Sequence, residues 1–388
     1  MKERIKNIIT VFKREIKVIS KDVNLIAVLL LAPIFYSFFY SSIYSNKTEE
    51  NVRIVVVDMD NSSITKELIR NFDAHQKIKV YEVVSDFSNG VKEINTGNAQ
   101  AMIFFPKNFE KNLKSGKGAD LKLYLNSSRF LVSNDINKAI NETIAYAGAE
   151  IRLKYFLSNS YSYEQAKELI EPIHGEIHPM FSFTETYGDF LIPAILILII
   201  HQTLLIGLSE SIAKERELGT LSELFYLTKG NVTDAIHGKG LFYFILYLSY
   251  SLFFLTINFK VFSINILGSW FALSLTVVLL IASVIYISIF ISSFFKKKII
   301  SLQFLTLTSY PVFLISGYSW PIQSMPIYIK VIAYLIPITP FYNAYIRIIR
   351  MGASFSDVYL QVIHLLALTI LGFAVASIRM KTLFSNVR

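Results

Sequence analysis

Residues 209–240 read SESIAKERELGTLSELFYLTKGNVTDAIHGKG, a charged stretch between two nearly uncharged apolar runs at 190–208 and 241–259. Glu210 and Lys214 lie four apart with the acid first, the favourable order on a helix. Leu218, Leu221, Leu224 and Phe225 recur at helical spacing and predict an apolar stripe. Gly219 interrupts that pattern at a cost of about 1 kcal/mol relative to alanine, which suits a bend or a close backbone approach. A segment of this kind either joins two membrane spans and no more, or meets something soluble on one side. The residues alone leave both readings open.

Outward from this stretch, the composition is that of a membrane protein. Of 388 residues, 53% are hydrophobic, too many for one soluble core with an ordinary surface. Apolar runs at 25–44, 187–208, 241–259, 267–294, 299–317 and 358–378 approach the ~20 residues a bilayer requires. They predict an α-helical polytopic membrane protein with six transmembrane helices. The net charge of +9 could suggest a polyanionic partner, but the basic residues cluster at the ends of the apolar runs. The positive-inside rule accounts for that pattern without nucleic acid. Basic residues are dense in the leader, in 214–239, at Lys296–Lys298 and in the tail, which predicts both termini on the cytoplasmic side. No cysteine is present, which excludes disulfides and thiolate metal sites.

Residues 1–24 carry Lys2, Arg4, Lys6, Lys13, Arg14, Lys17 and Lys21, with Ile5, Ile8, Ile9, Phe12, Ile16 and Ile19 on one helical face. This predicts a cytoplasmic amphipathic helix lying in the headgroup plane. Residues 25–44 form the first span. A cleaved signal peptide is disfavoured by the long charged leader and the lack of a small-x-small site. Residues 46–186 alternate strand-like segments (52–58, 79–84, 101–105, 121–125) with helical ones (62–74, 87–95, 108–114, 134–157), which predicts an inserted extracytoplasmic α/β domain. Residues 187–388 then form a five-span membrane domain with its cytoplasmic loop at 209–240. Within 316–352, Pro321, Pro326, Pro337 and Pro340 forbid an unbroken helix, so broken outer helices are expected there.

The segment KERELGTL at 214–221, followed by Ser222, Glu223 and Leu224, resembles the signature of ABC type-2 exporter permeases. In that family an acidic–basic–acidic run and Gly-Thr lead into a leucine-rich helix after the second span. Glu215, Arg216, Glu217, Gly219, Thr220, Leu221 and Leu224 match one for one. The proline that follows in many members is replaced here by Leu227-Thr228-Lys229-Gly230. The inserted domain is similar through Val55, Val56, Asp58, Asp60, Ser62, Ile103, Pro106, Phe109 and Leu113. The broken helices are similar through Gly317, Pro321, Pro326, Pro337 and Pro340. The resemblance implies a permease subunit of an ATP-driven exporter in the cell inner membrane, moving a drug, lipid or other amphiphile. It implies a cytoplasmic ABC ATPase that holds ATP and magnesium, with no cofactor on this chain. It also implies a second permease, as homodimer or paralogue, and for members with a large outer domain a periplasmic adaptor and an outer-membrane channel. The loop would dock on the ATPase, with Leu221, Leu224 and Phe225 as an apolar ridge and Glu215, Arg216 and Glu217 making charged contacts.

Other motifs also admit simpler roles. No GxxxxGK[ST] occurs, so this chain has no P-loop. Asp58-Met59-Asp60-Asn61-Ser62 reads either as a DxD metal site or as a strand end that caps the next helix. His174-Gly175-Glu176-Ile177-His178 superficially resembles a zinc-protease helix, but the glutamate is misplaced; no metal is expected. No GxSxG elbow is present. His201 and Gln202 in the second span, and Gln361 and His364 in the last, are polar groups at membrane depth. They read as a substrate path or as hydrogen-bonded helix contacts. The alternative to an exporter is a membrane receptor with an extracytoplasmic ligand-sensing domain, although no cytoplasmic output domain is recognisable. An intramembrane enzyme lacks a nucleophile, acid pair or metal set.

Overall fold

A computed structural model describes residues 2–44, 49–115, 117–171, 180–181 and 186–386. The chain divides into two compact units, Met1–Lys47 with Pro179–Arg388, and Thr48–His178. In chain order the elements begin with α1 (Lys2–Ile19) and α2 (Val23–Ile43). The second unit holds β1 (Val52–Asp58), α3 (Ser63–Asp73), β2 (Ile78–Val84), α4 (Phe87–Asn95), β3 (Ala101–Phe105), α5 (Phe109–Lys114), β4 (Lys122–Leu125), α6 (Phe130–Ser158) and α7 (Tyr163–Ile170). The first unit resumes with α8 (Tyr187–Glu217), α9 (Leu221–Leu227), α10 (Val232–Val261), α11 (Trp270–Ser292), α12 (Lys298–Ile315), α13 (Ile327–Tyr334), α14 (Ile338–Met351) and α15 (Phe355–Ser385).

In the second unit the strand order is β2-β1-β3-β4. β1 is parallel to β2 and β3, and β4 is antiparallel to β3. Side-chain alternation along β1 feeds two cores. Ile54 and Val56 pack with Leu68, Phe72, Ile136 and Ile140 on one face, and Val55 and Val57 with Met102 on the other. Gly90 on α4 lies so close to the second face that a Cβ would stand 2.5 Å from Met102 and Val57. Asp58 Oδ1 accepts the N–H groups of Asp60 and Asn61, and Asp60 accepts the Glu110 N–H. Ser62 and Thr65 form the capping box of α3. The Asp58–Ser62 stretch therefore acts as a cap. Among the described residues no group of three or more His, Asp or Glu could hold a metal ion. His174 and His178 lie outside the described residues.

Six helices among the described residues are long and apolar enough to cross a membrane: α2, α8, α10, α11, α12 and α15. α8 is the central post, with 78% of its apolar window buried, against 11% for α12. The structure corrects the boundaries of residues 209–240. α8 continues to Glu217 and α10 begins at Val232, so the joint is only Leu218–Asn231 with α9 inside it. Gly219 at φ 72° ends α8, and the Asn231 side chain caps α10 through the Thr233 and Asp234 N–H groups. The polar turns beyond the apolar run stay helical because their side chains find partners on other elements. At 31 residues α8 is about 45 Å long, well beyond the ~30 Å hydrocarbon core.

At the Tyr187 end, Pro193 sits inside α8 and has no N–H for the Asp189 carbonyl. Arg350 of α14 donates to that carbonyl instead. Tyr345 and Tyr342 donate to the carbonyls of Pro193 and Ala194 at 3.4 and 2.7 Å. α13 and α14 are bent by 81° at the break between them, with Pro326 and Pro337 at their N-caps. Pro340 falls in the first turn of α14, where a missing N–H costs little.

Candidate functional site

The Glu217 end of the first unit is built on a buried ionic cluster. Lys239 Nζ of α10 stands 2.6 Å from Glu15 Oε2 of α1 and 2.8 Å from Glu215 Oε1 of α8. Arg14 of α1 reaches the same Glu215 oxygen at 2.7 Å and Glu223 of α9 at 3.1 Å. Ser211 and Tyr243 donate to Glu15 Oε1 at 2.6 and 2.9 Å. Glu15, Glu215 and Lys239 are all buried. Without the exposed Glu223 at its rim, the cluster holds two acids, Glu15 and Glu215, and two bases, Lys239 and Arg14, at zero formal charge, which lets it exist away from water. Burial opposes the Arg14 charge, but Glu215 and Glu223 outweigh it and hold the guanidinium pKa above its ordinary value.

Further pairs fasten α1 along its length. Asp234 at the start of α10 accepts from Arg4 at 2.9 Å and from Asn7 at 3.1 Å. Lys214 of α8 pairs with Asp22, not with Glu210, and Lys298 stands 3.7 Å from the same carboxylate. Burial works against the Asp22 charge, yet Lys214, the Leu25 N–H and Lys298 together hold its carboxyl below the usual range. Between these pairs the helices touch directly. A Cβ on Gly238 would stand 2.6 Å from Val11 Cβ and 3.0 Å from the Ile8 carbonyl oxygen.

The Glu-Arg-Glu run sends each side chain to a different neighbour. Glu215 turns inward to the cluster. Arg216 donates to the carbonyls of Ser293 and Phe295 at 2.5 and 2.7 Å, at the C-terminal end of α11. Glu217 accepts the Lys298 N–H at 2.9 Å, at the first turn of α12. A cation on carbonyl ends and an anion on N–H ends are the favourable pairings with helix dipoles. The expected exposed ridge is corrected as well. Leu221 and Leu224 are buried in the unit's own core, and Phe225 packs edge-on against Phe384 of α15 at 5.4 Å. They point inward because α9 must cover the ends of α10 and α15. The residues of this segment that do face outward are Glu217, Leu218, Gly219, Glu223, Tyr226 and Lys229. Thr220 makes the turn before α9, and its carbonyl accepts from Arg14.

The four polar residues in the spans do not form one site. His201 and Gln202 are buried on α8, where Gln202 accepts from Ser309 of α12 at 3.1 Å. Gln361 and His364 of α15 instead line a cavity of about 670 Å³, together with Gly317, Pro321, Tyr334, Thr339, Pro340 and Asn343. Gln361 donates to Asn343 at 2.9 Å. His364 Nε2 lies 2.9 Å from the Tyr334 carbonyl and carries the hydrogen in that bond.

The residues that sequence reasoning missed are Arg14, Glu15, Asp22, Asp234 and Lys239. A signal existed for Glu15: it is an acid at helical spacing with Ile8, Phe12 and Ile19, on the apolar face of an otherwise basic helix.

The layout joins a charged end layer to polytopic spans. The family described as ABC-2 family transporter protein matches residues 24–379. This chain belongs to the ABC-2 transporter family. It is 23% identical over 366 residues to the probable multidrug ABC transporter permease YbhR of Escherichia coli (strain K12), covering 93% of this chain and 94% of that protein. It is 22% identical over 370 residues to the linearmycin resistance permease protein LnrN of Bacillus subtilis (strain 168), covering 91% and 94%. The chain is thus a multi-pass membrane protein of a transporter permease family. Family membership implies, in general, an ABC ATPase partner and a second permease.

Proposed function

We propose that this chain is the membrane-spanning permease subunit of an ATP-driven exporter, paired with a second permease and a separate P-loop ATPase in the cytoplasm. The observation that carries the reading is the clamp at the Glu217 end. Glu215, Arg216 and Glu217 tie the joint around α9 to α1, α10, α11 and α12. A push on the exposed face of α9 and α1 is then shared among the ends of several spans. Coupling requires a contact whose strength differs between two states. The face offers Leu218 and Tyr226 beside Glu223 and Lys229 for such a contact.

The basic bias supports a reading in which this end and both termini are cytoplasmic and residues 46–186 are extracytoplasmic. The cargo is a drug, lipid or other amphiphile, a class favoured by the names of the two relatives. In a double-membraned cell, the α/β unit would meet a periplasmic adaptor leading to an outer-membrane channel. The test is reconstitution with the co-purified ATPase. ATP hydrolysis stimulated by an amphiphile and lost in Arg216→Ala is expected. Hydrolysis indifferent to this subunit would reject the reading. Cysteine labelling at Asn126 from outside only, and at Lys229 from inside only, checks the orientation.

A further inference from the structure

The cavity at the Tyr187 end has a chemistry of its own. Its lining contains no Lys, Arg, Asp or Glu. Its polar groups are hydroxyls, amides and one imidazole, among them those of Thr339, Asn343, Gln361 and His364. Thr339 is 1% exposed, and its hydroxyl has no hydrogen-bond partner among the described residues. Gln361 Oε1 is likewise buried and without a partner among them. Because Gln361 Nε2 is engaged with Asn343 and His364 Nε2 with the Tyr334 carbonyl, the buried valences left open among the described residues are the Thr339 hydroxyl and the Gln361 amide oxygen. Buried polar groups left open cost free energy unless something fills them. The volume of about 670 Å³ lies within the ~300–1,000 Å³ typical of small-molecule sites.

The surroundings are apolar. Leu360 and Ile363 on α15, Val331 and Leu335 beside α13's end, and Trp320 are each more than half exposed. On a membrane protein such a surface faces lipid tails. Of the cations near the lining, Lys330 is held on the Gln323 carbonyl at 2.9 Å and Arg350 on the Asp189 carbonyl.

We propose that this cavity binds the uncharged, hydroxyl- or amide-bearing head of an amphiphile, whose apolar tail lies along Leu360 and Ile363. A charged head is disfavoured because no lining carboxylate, ammonium or guanidinium would pair with it. The inference rests on the reading of the chain as a permease and narrows its cargo to neutral-headed amphiphiles. The head could come from a diffusible single-chain molecule or from a bilayer glycolipid; the recognising chemistry is the same.

The test uses the full chain in nanodiscs of phosphatidylcholine and phosphatidylglycerol, with a diazirine-tagged dodecyl glucoside as the probe. Labelling is expected on peptides carrying Tyr334 and Leu360. Unlabelled dodecyl glucoside or a diacyl glucosyl lipid should compete, and dodecyl sulfate and dodecyltrimethylammonium should not. Competition by the single-chain glucoside points to a diffusible amphiphile, and by the diacyl lipid to a membrane source; either supports the site. Thr339→Val should weaken labelling about three- to tenfold, the loss of one hydrogen bond, while Thr339→Ser restores it. Asn343→Ala, at an exposed position, serves if the valine variant folds poorly. Equal competition by charged amphiphiles, or labelling unaffected in all variants, would overturn the proposal. Binding is read without ATP. Failure here while a P-loop ATPase co-purifies overturns only the cavity's role, and binding without such a partner overturns only the exporter reading.

Discussion

The two ends of the first unit solve the same problem in opposite ways. At the Glu217 end, polar residues are ionised, paired and packed solid, with Glu15, Glu215, Lys239 and Arg14 closing on one another. At the Tyr187 end, the polar side chains that line the cavity are neutral and surround a space. The Asp189 carbonyl there, which Pro193 cannot serve, is met by Arg350, while Thr339 and Gln361 in the cavity wall keep an unpartnered atom among the described residues. Charge pairs demand close geometry and hold helices rigidly together, which suits a part that transmits force. Neutral hydroxyls and amides can exchange one hydrogen-bonding partner for another, which suits a part that binds.

The comparison breaks most visibly at Lys239. Lys239→Met leaves Glu15 buried without its cation, and loss of one partner of a buried pair costs about 3–5 kcal/mol. A sharply lower melting temperature in detergent is expected, with recovery in the Glu15→Gln/Lys239→Met double variant. Leu224→Asp should act the same way, by placing a carboxylate in this chain's own core, so folding is expected to fail before ATPase binding does. Gly238→Val should cost about 1–3 kcal/mol by overpacking, since the added atoms meet Val11 and the Ile8 carbonyl. Protease cleavage in α1 reads this directly, and an unchanged cleavage rate would contradict close α1–α10 packing.

At the hollow end, Asn343→Ala is expected to change stability by only about 1 kcal/mol, because the exposed side chain gives up the hydrogen bond it accepts from Gln361. Asp22 sharpens the contrast through pH. Its carboxyl is held below the usual range, so its contribution is present above the ordinary carboxylate pKa and lost as pH falls through the depressed value. Asp22→Asn should therefore lower the melting temperature near neutral pH and make little difference in strong acid.

Much of the fold was legible because its signals are local. The run Val52–Asp58 reads as a buried strand and is one. Apolar runs located the six helices long and apolar enough to span among the described residues, and Pro326 and Pro337 marked the break between α13 and α14. What escaped was decided by distant partners. Lys239 meets a carboxylate 224 positions away, so the turns it stabilises read as loop. The leucines of α9 have the spacing of a ridge, but only tertiary packing decides which way a ridge faces. The cavity is assembled from α12's end, α13, α14 and α15, and no single stretch carries its pattern.

The central claim is that the Glu217 end receives the ATPase. The chain has no cysteine, so single-cysteine variants report without background. Tyr226→Cys on the exposed face of α9 and Ser319→Cys at the cavity are compared for cross-linking to the co-purified P-loop ATPase in intact membranes. The account predicts a cross-link at residue 226 and none at residue 319. A cross-link at 319, or none at 226 while the two proteins still co-purify, would contradict it.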